Sequence, residues 1–301
     1  MELNLFKIKK WGNMILGRSH YHVNQTEGLC YSVNDVTGYY NNLTEKITRF
    51  GRQDNEVPLT TDGDGNTRYF SISIFQYGLA AYDLFLLTRK QEYRQKFLNC
   101  ANWAIENQND NGSWETFAPQ NPREPYSSMA QGEGISLLVR AYKDTDNHNY
   151  LNRARKAVSY MLTDIQHGGV CEEDYDKLVF YEYTYRDAVL NGWIFSAWGL
   201  LDLYKITGDE AIRKSWEKTV KSLALALPSF DNGFWSKYDC GATLASPFYH
   251  RLHIAEMNVM YNLTGNEIFK QYAERWQKQL NNPINRLSAF CIKVYQKIIE
   301  K

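Results

Sequence analysis

Three tyrosine-rich stretches hold the residues of this 301-residue chain best suited to moving protons. The first, Tyr181-Glu182-Tyr183-Thr184-Tyr185, sets a carboxylate among phenols; in an extended chain the three tyrosines share one face and Glu182 takes the other. Lys237-Tyr238-Asp239 is the second. In the third, Tyr249-His250-Arg251-Leu252-His253, Tyr249 and His253 lie at i and i+4 on one helical face. A phenol, with a reference pKa of about 10, is a ready acid and a poor base at neutral pH. A neighbouring carboxylate raises that pKa further. The combination points to a carboxylate or phenol that removes a proton and a phenol that returns one. A glycoside hydrolase instead needs two facing carboxylates; Glu115, Glu133 and Glu182 are available, and no spacing singles out two of them.

Metal signals are weaker. Asp62-Gly63-Asp64-Gly65-Asn66 begins like an EF-hand loop, but Thr67 stands where Gly is required and Ser73 where the bidentate Glu belongs. The expectation is a turn, with a structural calcium as the alternative and no other cofactor. His250, His253 and Glu256 have helical spacing without a third histidine or a zincin pattern, so no metal is expected there.

The elements that must position these residues repeat along the chain. From about residue 71 the pattern is helical, and Thr88, Thr145, Thr207 and Thr264 mark four similar turns, 57, 62 and 57 residues apart. An apolar residue follows each at five positions (Tyr93, Tyr150, Ile212, Phe269) and another at nine (Phe97, Ala154, Trp216, Ala273). Thr207-Gly208-Asp209 and Thr264-Gly265-Asn266 carry glycine where a helix ends in the left-handed conformation. The first helix of a pair, such as Leu190 to Tyr204, is apolar nearly all round; the second, such as Asp209 to Leu225, is amphipathic. Inner apolar helices ringed by amphipathic ones describe an all-α fold, an incomplete (α/α) toroid of about four hairpins, with a stacked superhelix as the competing arrangement. The stretches 28–34 and 66–74 read as short strands, and 108–126 and 165–186 as loops. With no linker in view, 1–301 is one domain: an N-terminal extension (1–65), a core (66–282) and a C-terminal helix (283–301).

Polar residues interrupt the inner helices near their starts. Gln76, Gln131 and Asn191, each beside a glycine, and His253 in the fourth repeat would gather at one mouth, where helix N-termini favour an anion.

Composition narrows the partners. There are 34 basic and 34 acidic residues, so no overall field draws the chain to nucleic acid or a membrane surface. Aromatic residues are abundant (22 Tyr, 14 Phe, 8 Trp), which suits a carbohydrate cleft and thick helix packing alike. Cys30, Cys100, Cys171, Cys240 and Cys291 are scattered, with no CxxC, and read as reduced thiols. Met1 to His20 shows no apolar signal core and no long apolar run occurs, so a cytoplasmic location without a membrane span is expected.

Across roughly residues 66–282 the chain resembles the C-terminal catalytic domain of D-glucuronyl C5-epimerases, which convert glucuronate to iduronate in heparosan and heparan sulfate. The resemblance rests on Arg68-Tyr69-Phe70 with Gln76-Tyr77-Gly78-Leu79, Asn107-Gln108 with Gly112-Ser113-Trp114, and Tyr126 through Gln131-Gly132 to Leu138-Val139-Arg140-Ala141-Tyr142. It continues through Glu182-Tyr183, Val189-Leu190-Asn191-Gly192, Tyr238-Asp239, and Tyr249-His250 with His253-Ile254. The match implies a short, bacterial-type form without the β-sandwich domain of the animal enzymes. It makes Glu182, Tyr183, Tyr238 and Tyr249 the catalytic candidates. Gln76, Gln131, Asn191, His253, Tyr181, Arg186 and Arg251 are the candidates for holding substrate. Two departures stand out. A two-residue gap before Val189 makes Tyr181 the fallback for Tyr183, and the family's Tyr-Asp-Leu-Arg-His stretch reads Tyr238-Asp239-Cys240-Gly241-Ala242 here.

The resemblance implies cofactor-independent epimerisation of a uronate in an oligo- or polysaccharide. A uronate lyase using the same C5 carbanion and a non-catalytic glycan-binding toroid are the alternatives.

Overall fold

The computed structural model describes residues 23, 25–49, 57–61 and 65–299. Met1–His20, Asn24 and the Asp62-Gly63-Asp64 start of the EF-hand-like stretch lie outside the described residues. Four hairpins follow in order: α1 (Ser71–Thr88) with α2 (Gln91–Glu106), α3 (Ser128–Thr145) with α4 (His148–Met161), α5 (Leu190–Thr207) with α6 (Glu210–Ala226), and α7 (Pro247–Thr264) with α8 (Glu267–Asn281). A last helix, α9 (Pro283–Ile299), follows.

The inner helices α1, α3, α5 and α7 pack side by side in sequence, and each outer helix covers its own inner partner. The result is the incomplete (α/α) toroid, not the superhelix. Burial explains the division of labour. In α3 every residue from Ser128 to Ala141 is buried, and in α5 every residue from Leu190 to Leu203. The outer α8 buries a single stripe: Phe269, Ala273, Trp276 and Gln279. Glycine sets the closest helix contact. A Cβ on Gly132 would lie 2.3 Å from the Phe195 carbonyl oxygen, and one on Gly199 would lie 2.7 Å from the Gly132 Cα.

The turn threonines share one structure. Each hydroxyl donates to the carbonyl four residues back, at 2.7 Å for Thr88, 2.6 Å for Thr145, 2.9 Å for Thr207 and 2.6 Å for Thr264. Each also accepts the backbone N–H two residues on. The intervening residue is left-handed: Arg89, Asp146, Gly208 and Gly265. Arg89 and Asp146 do without glycine, at a cost of roughly 1 kcal/mol each. Asn147, Asp209 and Asn266 then cap the outer helix by accepting from the N–H two residues on.

The strand expectations need correcting. Among described residues, 28–34 forms bends, with Gly28 N–H donating to Tyr40 O and Gly38 N–H to Cys30 O. It closes a loop across the helix ends and has no partner strand. Within 66–74 only Thr67–Tyr69 (β2) is extended, pairing antiparallel with Leu59–Thr61 (β1), before α1 begins at Ser71. The 165–186 segment expected as loop contains a hairpin, Cys171–Asp174 (β3) with Lys177–Phe180 (β4), which covers α6. Its turn, Tyr175-Asp176, lacks the glycine or asparagine that signals a tight hairpin.

The N-terminal segment seals the C-terminal ends of the inner helices. Asp83, Arg140 and Asp202 are fully buried, each five residues before its turn threonine. Arg140 donates to Asp202 Oδ2 at 2.6 Å and to the carbonyls of Thr37, Gly38 and Ser136. Tyr40 donates to Asp202 Oδ1 at 2.8 Å, and Asp83 accepts the Tyr39 N–H. Lys205 donates to the Ser32 carbonyl, and Asn258 to Glu27 Oε1. Segment 27–40 thereby touches all four inner helices.

Candidate active site

The opposite, N-terminal ends of the inner helices gather the catalytic candidates. After β4 the chain turns through Glu182 and Tyr183 and enters α5 at Leu190. Its backbone is anchored on both sides, by Tyr181 N–H to Val170 O and Ser128 N–H to Tyr181 O, both 3.0 Å. Gly192, in the first turn of α5, makes room for Glu182: a Cβ there would lie 2.8 Å from the Glu182 Cβ and 3.0 Å from its Oε2. Tyr238 sits on a loop pinned to the same helix start. Leu190 N–H donates to Tyr238 O at 3.1 Å, Cys240 N–H to Ala188 O at 3.0 Å, and Tyr238 N–H to Thr243 O at 2.8 Å. Tyr249 lies in the first turn of α7, where Pro247 starts the helix and the Ser246 hydroxyl accepts the Tyr249 N–H at 3.3 Å.

These elements bring all four catalytic candidates together. The Tyr238 hydroxyl donates to Glu182 Oε2 at 3.4 Å, and the Tyr183 hydroxyl lies near enough to favour the ionised carboxyl. The Tyr238 and Tyr249 rings meet edge-on at 4.8 Å. Tyr183 stacks on Phe117 at 4.6 Å, and the Arg186 guanidinium lies over the rings of Tyr183 and Tyr185, 5.2 Å and 5.5 Å from their centroids. Tyr181 is not the catalytic neighbour; its hydroxyl turns away to Glu172 Oε2 at 2.7 Å. The strict alternation expected for an extended stretch fails because 182–185 is a turn.

Glu182 is 5% exposed, and burial pushes its carboxyl up to about 7, against the Tyr183 and Tyr238 hydroxyls and the Arg186 charge, which favour ionisation. Burial and then the charge of Glu182 hold the phenols of Tyr183, Tyr238 and Tyr249 above their ordinary value. The cluster thus joins a carboxyl poised between its two states at neutral pH to phenols that keep their protons.

The substrate-holding candidates scatter. Gln76 Nε2 donates to Glu133 Oε1 at 2.8 Å. Gln131 is fully buried and spent on backbone: its oxygen accepts Trp114 N–H and its nitrogen donates to Gly112 O and Ala157 O. Asn191 stands beside the site, donating weakly to Met129 Sδ at 3.8 Å, with no partner for its Oδ1 among the described residues. His253 is fully buried, with Nδ1 on the Ser236 hydroxyl at 2.9 Å, and burial drives its pKa well below the usual value. It is neutral, and its Nε2 has no partner among the described residues. His250 shares that hydroxyl at 2.8 Å, and burial lowers it to about 3. No group of three His, Cys, Asp or Glu among the described residues is arranged to hold a metal. Arg251 is exposed and contacts the Pro247 carbonyl at 3.4 Å.

Register explains the scatter. Gln76 and Glu133 both lie twelve residues before their turn threonines, whereas Gln131, Asn191 and His253 lie fourteen, sixteen and eleven before theirs. With about 3.6 residues per turn, an offset of two sends Gln131 to the face opposite Glu133, while Asn191, four earlier, keeps nearly the same face. The equivalence of Gln76 and Glu133 was readable from the repeat. Glu133, overlooked among the site candidates, is fully buried; burial lifts it to about 8, opposed by Gln76 and Lys46 and reinforced by the charge of Glu182. Its Oε2 has no partner among the described residues. No sequence signal marked Phe117 or Ser236.

Residues 108–278 match the family model described as D-glucuronyl C5-epimerase C-terminus. The chain is 30% identical over 217 residues to the D-glucuronyl C5-epimerase of Caenorhabditis elegans, covering 62% of this chain and 35% of that protein. It is 29% identical over 157 residues to an uncharacterized protein of Methanocaldococcus jannaschii, covering 50% of this chain and 51% of that protein. The matches therefore span about a third to a half of these relatives. Among solved structures, cellobiose 2-epimerase from Bacillus thermoamylovorans overlaps with a TM-score of 0.52 at 15% identity, covering 76% of this chain and 66% of that one. That likeness shows the shared toroid alone.

Proposed function

Because the chain belongs to the D-glucuronyl C5-epimerase C-terminus family, we propose that it is a uronate C5-epimerase, converting D-glucuronate to L-iduronate residues within a glycan. One observation carries this reading: a single carboxyl held near neutrality inside a cluster of three protonated phenols.

In the proposed reaction Glu182, ionised, takes the proton from C5, and the electron pair of that bond moves toward the sugar carboxylate as an enediolate-like intermediate. Tyr249 gives its hydroxyl proton to the opposite face of C5, inverting the centre. Tyr238, hydrogen-bonded to Glu182 and edge-on to Tyr249, carries the proton from Glu182 back to the Tyr249 phenolate and resets the site. Positioned acid and base supply about 10²–10⁴-fold; stabilisation of the charge on the sugar carboxylate must supply much of the rest. Arg186 is the cation beside Glu182 and takes that part. No redox cofactor enters this scheme.

The test is deuterium wash-in at C5 of a glucuronate-containing glycan such as heparosan. Wild type incorporates deuterium and forms iduronate with chain length unchanged, and Tyr249→Phe forms no iduronate. Iduronate formed at the wild-type rate by Tyr249→Phe removes Tyr249 from the mechanism. A chain-shortened product absorbing in the ultraviolet as a 4,5-unsaturated uronate assigns a lyase instead.

A further inference from the structure

The family match ends at residue 278, and α9 lies beyond it and outside the four hairpins. Most of its apolar side chains face solvent, including Ile284 at 73%, Leu287 at 65% and Tyr295 at 65% exposure. It packs on α8 and α7, and its side chains also hydrogen-bond one loop. Gln296 Oε1 accepts the Leu244 N–H at 3.1 Å while its Nε2 donates to the Ala242 carbonyl at 2.9 Å. Lys293 Nζ donates to the Leu244 carbonyl at 2.8 Å. One turn before Lys293, Ala289 is fully buried against Trp235, Leu244 and Ala245.

The gripped segment is the partner of Tyr238. Lys237 pairs with Leu244 in an antiparallel bridge, and Tyr238 N–H donates to Thr243 O. The far edge of Tyr238 is fixed to α5 through Leu190. Tyr238 thus sits between a rigid helix start on one side and, on the other, a strand of a few residues whose outer backbone groups are taken up by α9.

We propose that α9 is a positioning element for the reaction: Lys293 and Gln296 hold segment 242–244, and through it the Tyr238 hydroxyl on Glu182 and Tyr249. This rests on the proton chemistry proposed above. A loop clamped by its own short pairing alone would leave the Tyr238 ring free to shift by the ångström or so that costs about 100-fold in a positioned reaction.

The experiment compares wild type, Gln296→Ala, Lys293→Arg and the double variant Lys293→Ala/Gln296→Ala. Two quantities are read: the rate of deuterium entry at C5 of heparosan, and the titration midpoint of the Glu182 carboxyl by carbon-13 NMR, assigned with Glu182→Gln. The double variant is expected to lose about 10- to 100-fold in kcat with KM within about twofold. Its Glu182 midpoint should rise, because the Tyr238 hydroxyl no longer favours the ionised form. Gln296→Ala should show the same shifts in smaller measure, and Lys293→Arg, which keeps a donor to Leu244, should resemble wild type. Unchanged kcat and midpoint in Gln296→Ala and in the double variant overturn the proposal, as does a kcat loss that only tracks the unfolded fraction. Should the double variant fail to fold, Gln296→Ala decides alone. If wild type exchanges no uronate proton, the epimerase reading fails, and the carboxyl midpoint still tests the strap.

Discussion

At the C-terminal ends of the inner helices, Arg140 uses every N–H it has, on Asp202 and on the carbonyls of Ser136, Thr37 and Gly38. At the N-terminal ends, Glu182 and Glu133 are as deeply placed but have no ion pair among the described residues, and Glu133 keeps one oxygen without a partner. Both ends bury carboxylates in the same helical frame, and the difference lies in what is set against them. A buried charge that meets a cation and spare donors stays ionised and is held fast. One that meets amides and phenols, with cations near but not ion-paired to it, is pushed toward its neutral form, and a proton near it becomes transferable at neutral pH. Asp83 stands between the two cases: it accepts the Tyr39 N–H, yet burial pushes it to about 7 against the opposing charge of Arg140. The C-terminal end is built for closure, the N-terminal end for titration.

Four measurements can break or sharpen that contrast. The largest effect expected is on rate. Glu182→Gln should lower C5 exchange by about 10²–10⁴-fold, while leaving the fold intact and more resistant to unfolding at pH 8; wild-type activity should rise with pH through about 7 as Glu182 ionises. Asp202→Ala should do the reverse, costing about 3–5 kcal/mol of unfolding free energy in urea because Arg140 is left buried and unpaired. A loss below about 1 kcal/mol would put the two ends on an equal footing.

Next is the pH dependence of stability. Glu182 and Glu133 have folded pKa values of about 7 and about 8, raised from the model-compound 4.5. The folded state therefore binds more protons than the unfolded chain between pH 4.5 and 8. Their contribution is present below pH 4.5 and is lost as pH rises through that window. Glu133→Gln should flatten the decline by up to about 1.4 kcal/mol per pH unit, measured as unfolding free energy at several pH values. An unchanged slope would mean that Glu133 is ionised in the fold. The smallest effect belongs to the turns. Asp146→Gly should relieve the left-handed strain at the end of α3, and the gain should stay under about 1 kcal/mol because glycine also loosens the unfolded chain. Its sign is read from the thermal midpoint.

The repeat of turn threonines, with an apolar first helix and an amphipathic second, was legible in the chain because helix burial depends on local periodicity. The tyrosine-rich stretches and the family resemblance singled out Glu182, Tyr183, Tyr238 and Tyr249, which the fold brings together. Reasoning from helix starts misled for Gln131, where a polar residue spent on backbone was taken for a mouth residue. A shift of one or two positions turns such a side chain to another face, and only the turn register shows it. The strand expectation at 28–34 failed for a related reason: alternating residues fit an extended segment, but the partner strand it needs is absent among the described residues.

Sequence by itself determined the helical hairpins, their number and order, and the phenols and carboxyl suited to moving a proton, because these follow from spacing and side-chain chemistry. The tertiary structure alone decided that Tyr183 and not Tyr181 meets Glu182, that Gln76 pairs with Glu133, that Arg140 is matched by Asp202, and that α9 reaches the Tyr238 loop. Those outcomes depend on which groups share a desolvated space, and the proton affinity of a carboxyl is set by that space, through burial and neighbouring charge across tens of residues of chain.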